Sequence, residues 1–263
     1  MLRLENACIT FHANTVNERR ALDNVNLHLD KGDFITVIGS NGAGKSTMLN
    51  AISGSYIIDS GYVYLDGQDV TMQKSYKRAK YIGRLFQDPL KGTAPNMTIE
   101  ENLALAYSRG SRRGLSRGIK KSDEQMFKDR LSRLGLGLED RMKSKVGLLS
   151  GGQRQALTLL MATIVTPKIL LLDEHTAALD PKTAKQVMDI TNEIVKENDI
   201  TTLMVTHNIK DALHTGNKTL VMSSGRIITV LEGEQRRNMT VEKLMKMYSD
   251  AAGDSFSDKN LLD

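Results

Sequence analysis

The nine residues Gly39-Ser40-Asn41-Gly42-Ala43-Gly44-Lys45-Ser46-Thr47 restrict this chain more than any other stretch. They follow the apolar run Phe34 to Ile38, which fits a strand buried on both faces, and lead into a helix near Lys45 to Ile52. Strand, glycine-rich turn and helix in that order are the context a phosphate-binding loop requires. Glycines let the backbone curl so that successive N–H groups point inward at a triphosphate, and the helix N-terminus adds partial positive charge. Lys45 is then placed to reach the β- and γ-phosphates, and the Ser46 hydroxyl to hold Mg²⁺. A plain glycine turn before a helix competes with this reading, but it has no need of Gly-Lys-Ser after an apolar strand.

Strand and helix patterns alternate around that loop, which predicts α/β architecture. Strands are expected at Leu2 to Phe11, Val25 to Leu29, Tyr62 to Leu65 and Lys80 to Phe86. Residues 99–108 and 123–134 have helical spacing and no strand signal follows until Ile169, so about 88–160 reads as an inserted helical lobe. The core then takes about 1–87 and 161–232, leaving a C-terminal helix and tail at about 233–263. Later elements are a strand at Ile169 to Leu172, a helix from Pro181 to about Lys196, a strand at Thr202 to Val205 and a short helix from Asn208. Two strands around Leu220 and Ile227 turn at Ser224-Gly225, and Thr240 caps a last helix with Val241, Leu244, Met245 and Tyr248 on one face. Beyond Asp250 the Ser/Asp/Gly-rich tail is expected to fray.

Ile169 to Leu172 ends in Asp173-Glu174. A buried strand of this kind carries Asp173 to the sheet's C-terminal edge, where a hard cation takes oxygen ligands, while Glu174 points elsewhere and can polarise an attacking water. Two acids after an apolar strand are by themselves an ordinary solvated strand end. Their weight comes from the phosphate loop upstream.

The net charge of +5, from 36 basic and 31 acidic residues, first invites nucleic acid or anionic lipid as partner. Arg109, Arg112, Arg113, Arg117, Lys120 and Lys121 carry +6 with no acid between them, so the remainder sums to −1. That window lacks the interleaved aromatics of a base-stacking surface, which argues against nucleic acid. Apolar runs fall far short of the about 20 residues of a membrane-spanning helix, and the first residues lack the apolar stretch of a secretory signal. The single cysteine, Cys8, forms no internal disulfide, and no Cys/His cluster is spaced for zinc. The expected setting is the cytosol.

Leu149-Ser150-Gly151-Gly152-Gln153 decides between families. As residues alone they make a Ser N-cap opening a helix from Gln153 to Val165, itself an anion site. Together with Lys45-Ser46 and Asp173-Glu174, the stretch resembles the signature of ATP-binding cassette (ABC) ATPases over roughly residues 2 to 232. The resemblance implies a P-loop NTPase cassette core with an antiparallel β lobe and an inserted α-helical lobe. It also implies ATP and Mg²⁺ as ligands, and two cassettes packed head to tail with each ATP between one phosphate loop and the other copy's Ser150, Gly151, Gly152 and Gln153.

Further roles follow from the resemblance one residue at a time. Gln87 matches the glutamine that joins Mg²⁺ and links the core to the helical lobe. Asp180, in Ala178-Leu179-Asp180, matches the acid of the loop that crosses to the second subunit, and His207 the histidine that senses the γ-phosphate. Phe11 matches the aromatic that stacks on adenine, with Val16 near the ring edge; Phe11 equally fits a core position.

Asp-Glu-His175-Thr stands where most cassettes have Asp-Glu-Pro-Thr. With Thr15 to Glu18 and Ala94 to Asn102, it resembles a subgroup of bacterial importer ATPases labelled as serving aromatic amino acids (tryptophan or tyrosine). These imply a transmembrane permease, a substrate-binding lipoprotein and a peripheral place on the cytoplasmic face of the membrane, where the basic window would lie near anionic headgroups. His175 itself reads equally as a neutral loop replacement. The remaining alternative is a soluble cassette without a transport role, of the accessory kind used in iron–sulfur assembly.

Overall fold

The computed structural model describes residues 1–109 and 119–252, the last four by their backbone. The chain divides into two compact units, Met1–Arg78 with Thr201–Asp263, and Ala79–Ile200.

The first unit begins with β1 (Leu2–Phe11), β2 (Arg19–Leu29), β3 (Phe34–Ile38), α1 (Lys45–Ser53), β4 (Ser60–Leu65), β5 (Gln68–Asp69) and α2 (Ser75–Arg78). The second unit holds β6 (Ile82–Leu85), α3 (Ile99–Tyr107), α4 (Lys121–Ser132), α5 (Gly151–Thr163), β7 (Ile169–Asp173) and α6 (Pro181–Glu197). The chain returns to the first unit with β8 (Thr201–Val205), α7 (Ile209–His214), β9 (Lys218–Ser223), β10 (Arg226–Glu232), α8 (Gly233–Arg237) and α9 (Val241–Ala252).

In the first unit, β2-β1-β4-β5 form an antiparallel sheet. In its other sheet β3 lies between β8 and β9, parallel to both, and β10 pairs antiparallel with β9. All five residues of β3 are buried, as its unbroken apolar run requires. The start of β3 is held by Asp33, which accepts from Asn217 Nδ2 at 2.9 Å and Lys218 Nζ at 3.0 Å. Burial alone would raise the Asp33 carboxyl; these hydrogen bonds outweigh it and keep its pKa below the usual value.

The second unit pairs β6 with β7 in parallel. Its helices share a core of Ile99, Leu103, Phe127, Leu131, Val146 and Leu157. The lobe expected at about 88–160 lies inside this unit, which also takes in β6, β7 and α6.

Most elements fall within a few residues of expectation, and the differences have local causes. Strand β2 begins at Arg19 rather than Val25 because bulges interrupt its alternation: Ala21 and Leu22 are both buried, and Asn24 has φ 53°. Helix α5 begins at Gly151, since Ser150 caps it, rather than at Gln153. β5, α2 and α8, of two to five residues, are too short to show a period.

The described residues of the basic window do not share one setting. Arg109 Nη2 donates to the carbonyls of Ala162 at 3.0 Å and Val165 at 2.6 Å, closing the C-terminal end of α5, and burial lowers its pKa. Lys120 and Lys121 are exposed at the start of α4. Arg112, Arg113 and Arg117 lie outside the described residues, as does the tail after residue 252. Among the described residues no helix is long and apolar enough to cross a membrane.

Candidate functional site

The candidate residues fall on both units, and in each they lie around a strand end and a helix start. In the first unit the chain leaves β3 at Gly39 and enters α1 after Gly44. Gly44 has φ 100° and caps α1 with no side-chain hydrogen bond, a backbone conformation that favours glycine. The loop is tied from several sides. Ala43 N–H donates to Ser40 O at 3.1 Å, and Gly225 N–H to Ala43 O at 3.0 Å. Arg19 Nη2 donates to Gly42 O at 2.7 Å, and Ser40 N–H donates to Tyr248 Oη at 2.7 Å.

Lys45 is buried beneath this loop, with Nζ donating to Gly39 O at 2.5 Å and Ser40 O at 3.0 Å. Asn41, Gly42 and Ser46 are exposed, and Thr47 is half-buried. At the far end of α1, Arg78 is 1% exposed; its Nη1 donates to Ala51 O and Ile52 O, both at 2.8 Å. Burial lowers that guanidinium to about 10, still far above neutrality, so it stays charged against the negative end of the helix.

His207 belongs to the same unit. The register pairs Val205 with Val37, and Thr206 N–H donates to Val37 O at 3.1 Å, so His207 leaves β8 beside the strand that feeds the glycine-rich loop. Phe11 ends β1 and meets Tyr56 edge to face, with ring centroids 5.4 Å apart. Val16 is fully exposed in the turn between β1 and β2.

In the second unit, β7 buries Ile169 to Leu172 and presents Asp173 at its end, with Arg84 Nη2 4.0 Å from Asp173 Oδ2. Glu174 follows with φ 49°, a left-handed conformation uncommon outside glycine whose cost, on the order of 1–3 kcal/mol, the surrounding structure must offset. Ala177 N–H donates to Glu174 O at 3.0 Å. Asp180 caps α6, accepting from Thr183 N–H at 3.1 Å, and that bonding lowers its carboxyl pKa. Gln87 is exposed two residues after β6.

His175 is a core residue, 3% exposed. Its Nε2 lies 3.3 Å from Thr191 Oγ1, whose one hydrogen goes to Val187 O at 2.8 Å, so His175 Nε2–H is the donor. Burial pushes the imidazole down to about 4, keeping it neutral near pH 7. This ties the turn after Glu174 to α6, a use that neither sequence reading of His175 included.

Ser150 is the N-cap of α5 in a reciprocal capping box: Gln153 N–H donates to Ser150 Oγ at 3.3 Å, and Ser150 N–H to Gln153 Oε1 at 3.2 Å. Gly151 is exposed, and Gly152 is buried against the side chain of Thr183, where a Cβ would collide. Sequence reasoning missed Arg19, Arg78, Arg109 and Tyr248, because each acts on backbone carbonyls or amides distant in the chain, and such partners leave no short-range motif. For Tyr248 the apolar face of the last helix was the only signal.

The comparisons agree with these motifs. The ABC transporter family model matches residues 22–177. The tyrosine transport ATP-binding protein of Clostridioides difficile (strain R20291) is 40% identical over 248 residues, 94% of this chain and 98% of that protein. The energy-coupling factor transporter ATP-binding protein of Acetivibrio thermocellus is 33% identical over 214 residues, 81% of this chain and 73% of its own. A solved dimeric ATP-binding cassette in a post-hydrolysis state, bound to ADP and Pi, aligns with a TM-score of 0.76 at 29% identity, covering 88% of this chain and 98% of that one. A glycine-rich loop at the end of a buried parallel strand, a helix capped at Ser150 and this breadth of likeness lead to one conclusion: the chain belongs to the ABC transporter family, as one of its ATP-binding, ATP-hydrolysing cassettes.

Proposed function

We propose that this cassette drives a membrane permease that imports an aromatic amino acid, tyrosine above all. The observation that carries the cargo class is the near full-length likeness to a tyrosine transport ATP-binding protein. The cassette would work from the cytoplasmic face of the membrane, supplied by a substrate-binding lipoprotein outside, with no part for nucleic acid.

In this reading the loop of residues 39–47 binds the phosphates of ATP through the Lys45 ammonium and those backbone amides not already bonded within the protein as Ser40 and Ala43 are, and Phe11 stacks on adenine with Val16 at its edge. Mg²⁺ fits the donor set, which is all oxygen: the Ser46 hydroxyl, the Gln87 amide and the Asp173 carboxylate. When bound, the ion neutralises charge on the phosphate oxygens. Glu174 accepts a proton from water as the water oxygen attacks the γ-phosphorus and the bond to the ADP oxygen breaks. His207 faces the γ-phosphate from the end of β8.

A second copy supplies Ser150, Gly151, Gly152 and Gln153 from the start of its α5, and its Asp180 loop crosses beside them. Hydrogen bonds to charged groups are worth roughly 1.5–3 kcal/mol each, so a few made only across the closed pair suffice to hold it shut until hydrolysis. The test is uptake of radiolabelled tyrosine by the source cells with this chain deleted and then restored. Uptake is expected to fall on deletion, to return with the parent chain and to stay low with Glu174→Gln; unchanged uptake on deletion would remove tyrosine as the cargo.

A further inference from the structure

Helix α9 lies beyond the segment that matches the family, yet it is built into the wall beneath the phosphate loop. Leu244 and Tyr248 are 1% and 4% exposed, packed with Ile38 of β3, Ile209 and Ala212 of α7, Val221 of β9 and Leu231 of β10. Thr240 starts the helix, accepting at Oγ1 from Lys243 N–H at 3.3 Å. Eight residues later the Tyr248 hydroxyl accepts the Ser40 N–H at 2.7 Å.

The bond matters because of what else Ser40 does. Its carbonyl accepts both Lys45 Nζ at 3.0 Å and Ala43 N–H at 3.1 Å. Ser40 is therefore held at its amide by the C-terminal helix and at its carbonyl by the lysine and the turn of the loop. Ile38, two residues earlier, lies in the same apolar cluster as Tyr248, so the strand end and the loop start are fixed by one helix face.

We infer that Tyr248 is a positioning residue for the phosphate loop, and that α9 sets ATP affinity by holding Ser40 in place. The inference rests on the proposal that residues 39–47 bind the phosphates. A loop fixed before ATP arrives loses less freedom on binding, and that appears in affinity rather than in the chemical step.

Tyr248→Phe keeps the ring and its packing and removes only the hydroxyl. One neutral hydrogen bond corresponds to a loss of ATP affinity of about three- to ten-fold. Calorimetric titration of the full chain with ATP reads the affinity, steady-state hydrolysis reads kcat, and thermal unfolding reads stability, with Lys45→Ala titrated alongside. The expected result is weaker ATP binding and a higher KM for Tyr248→Phe, with kcat and Tm close to the parent's. Affinity within two-fold of the parent, or a fall in kcat at unchanged KM, would overturn the inference. If Lys45→Ala binds ATP as the parent does, the loop itself has been misassigned; if Lys45→Ala loses binding and Tyr248→Phe does not, only the role of Tyr248 fails.

Discussion

Helices α1 and α5 both begin at glycine-rich turns and both end against an arginine from a distant segment, yet their starts are built in opposite ways. Arg78 closes α1 at Ala51 and Ile52, and Arg109 closes α5 at Ala162 and Val165. In each case a guanidinium donates to carbonyls at the helix end, adding at Ala51 O to the bond from Gly54 N–H, and places positive charge at the negative end of the dipole. At its start α5 is self-sufficient, with Ser150 and Gln153 capping one another. The start of α1 has no side-chain cap, and the loop before it is steadied from outside by Arg19, Gly225 and Tyr248. The difference matches the two proposed roles. One helix start surrounds the phosphates of its own ATP and leaves its amides to the ligand, while the other stays formed until a second copy's nucleotide reaches it.

The C-terminal ends give the largest effect by which this comparison can be broken. Arg78→Gln leaves buried carbonyls short of donors and is expected to cost about 2–4 kcal/mol, against about 1–2 kcal/mol for Arg109→Gln, whose site is less enclosed. Urea unfolding of both variants checks the order. Equal losses, or a larger one for Arg109→Gln, would end the claim that α1 leans harder on its C-terminal arginine.

The N-terminal ends give a smaller effect. Ser150→Ala removes a helix cap worth about 1 kcal/mol, so a modest fall in stability is expected without any nucleotide present. ATP binding to the isolated chain should stay at the parent level if, as proposed, Ser150 serves the other copy's ATP. A loss of binding to the isolated chain would move Ser150 to the nucleotide of its own subunit.

Much of the second unit was legible because its signals are local. Ser150 reads as a helix cap from the sequence, with Gln153 completing the box in the fold, and the apolar run ending at Asp173 fixed β7 within a residue. The run Phe34 to Ile38 did the same for β3. What escaped were contacts closed by folding: Tyr248 lies 208 positions from Ser40, and Arg109 stands 53 and 56 from the carbonyls it caps. Arg109 shows the cost of reading charge by composition, since it looked like part of a basic surface and serves instead as a helix cap. His175 stood out as a departure from a family pattern, but its burial and its bond to Thr191 required the fold.

The central claim is that ATP closes two copies of this chain, with the Lys45 loop of one facing the Ser150 end of the other, until Glu174 permits hydrolysis. Light scattering of Glu174→Gln, with and without ATP and Mg²⁺, tests it most directly. The account predicts a monomer without nucleotide, a dimer with ATP that persists because turnover has stopped, and a monomer again when Ser150→Ala and Gly151→Asp are added. A mass that does not change with ATP, or hydrolysis by Glu174→Gln at the parent rate, would contradict it.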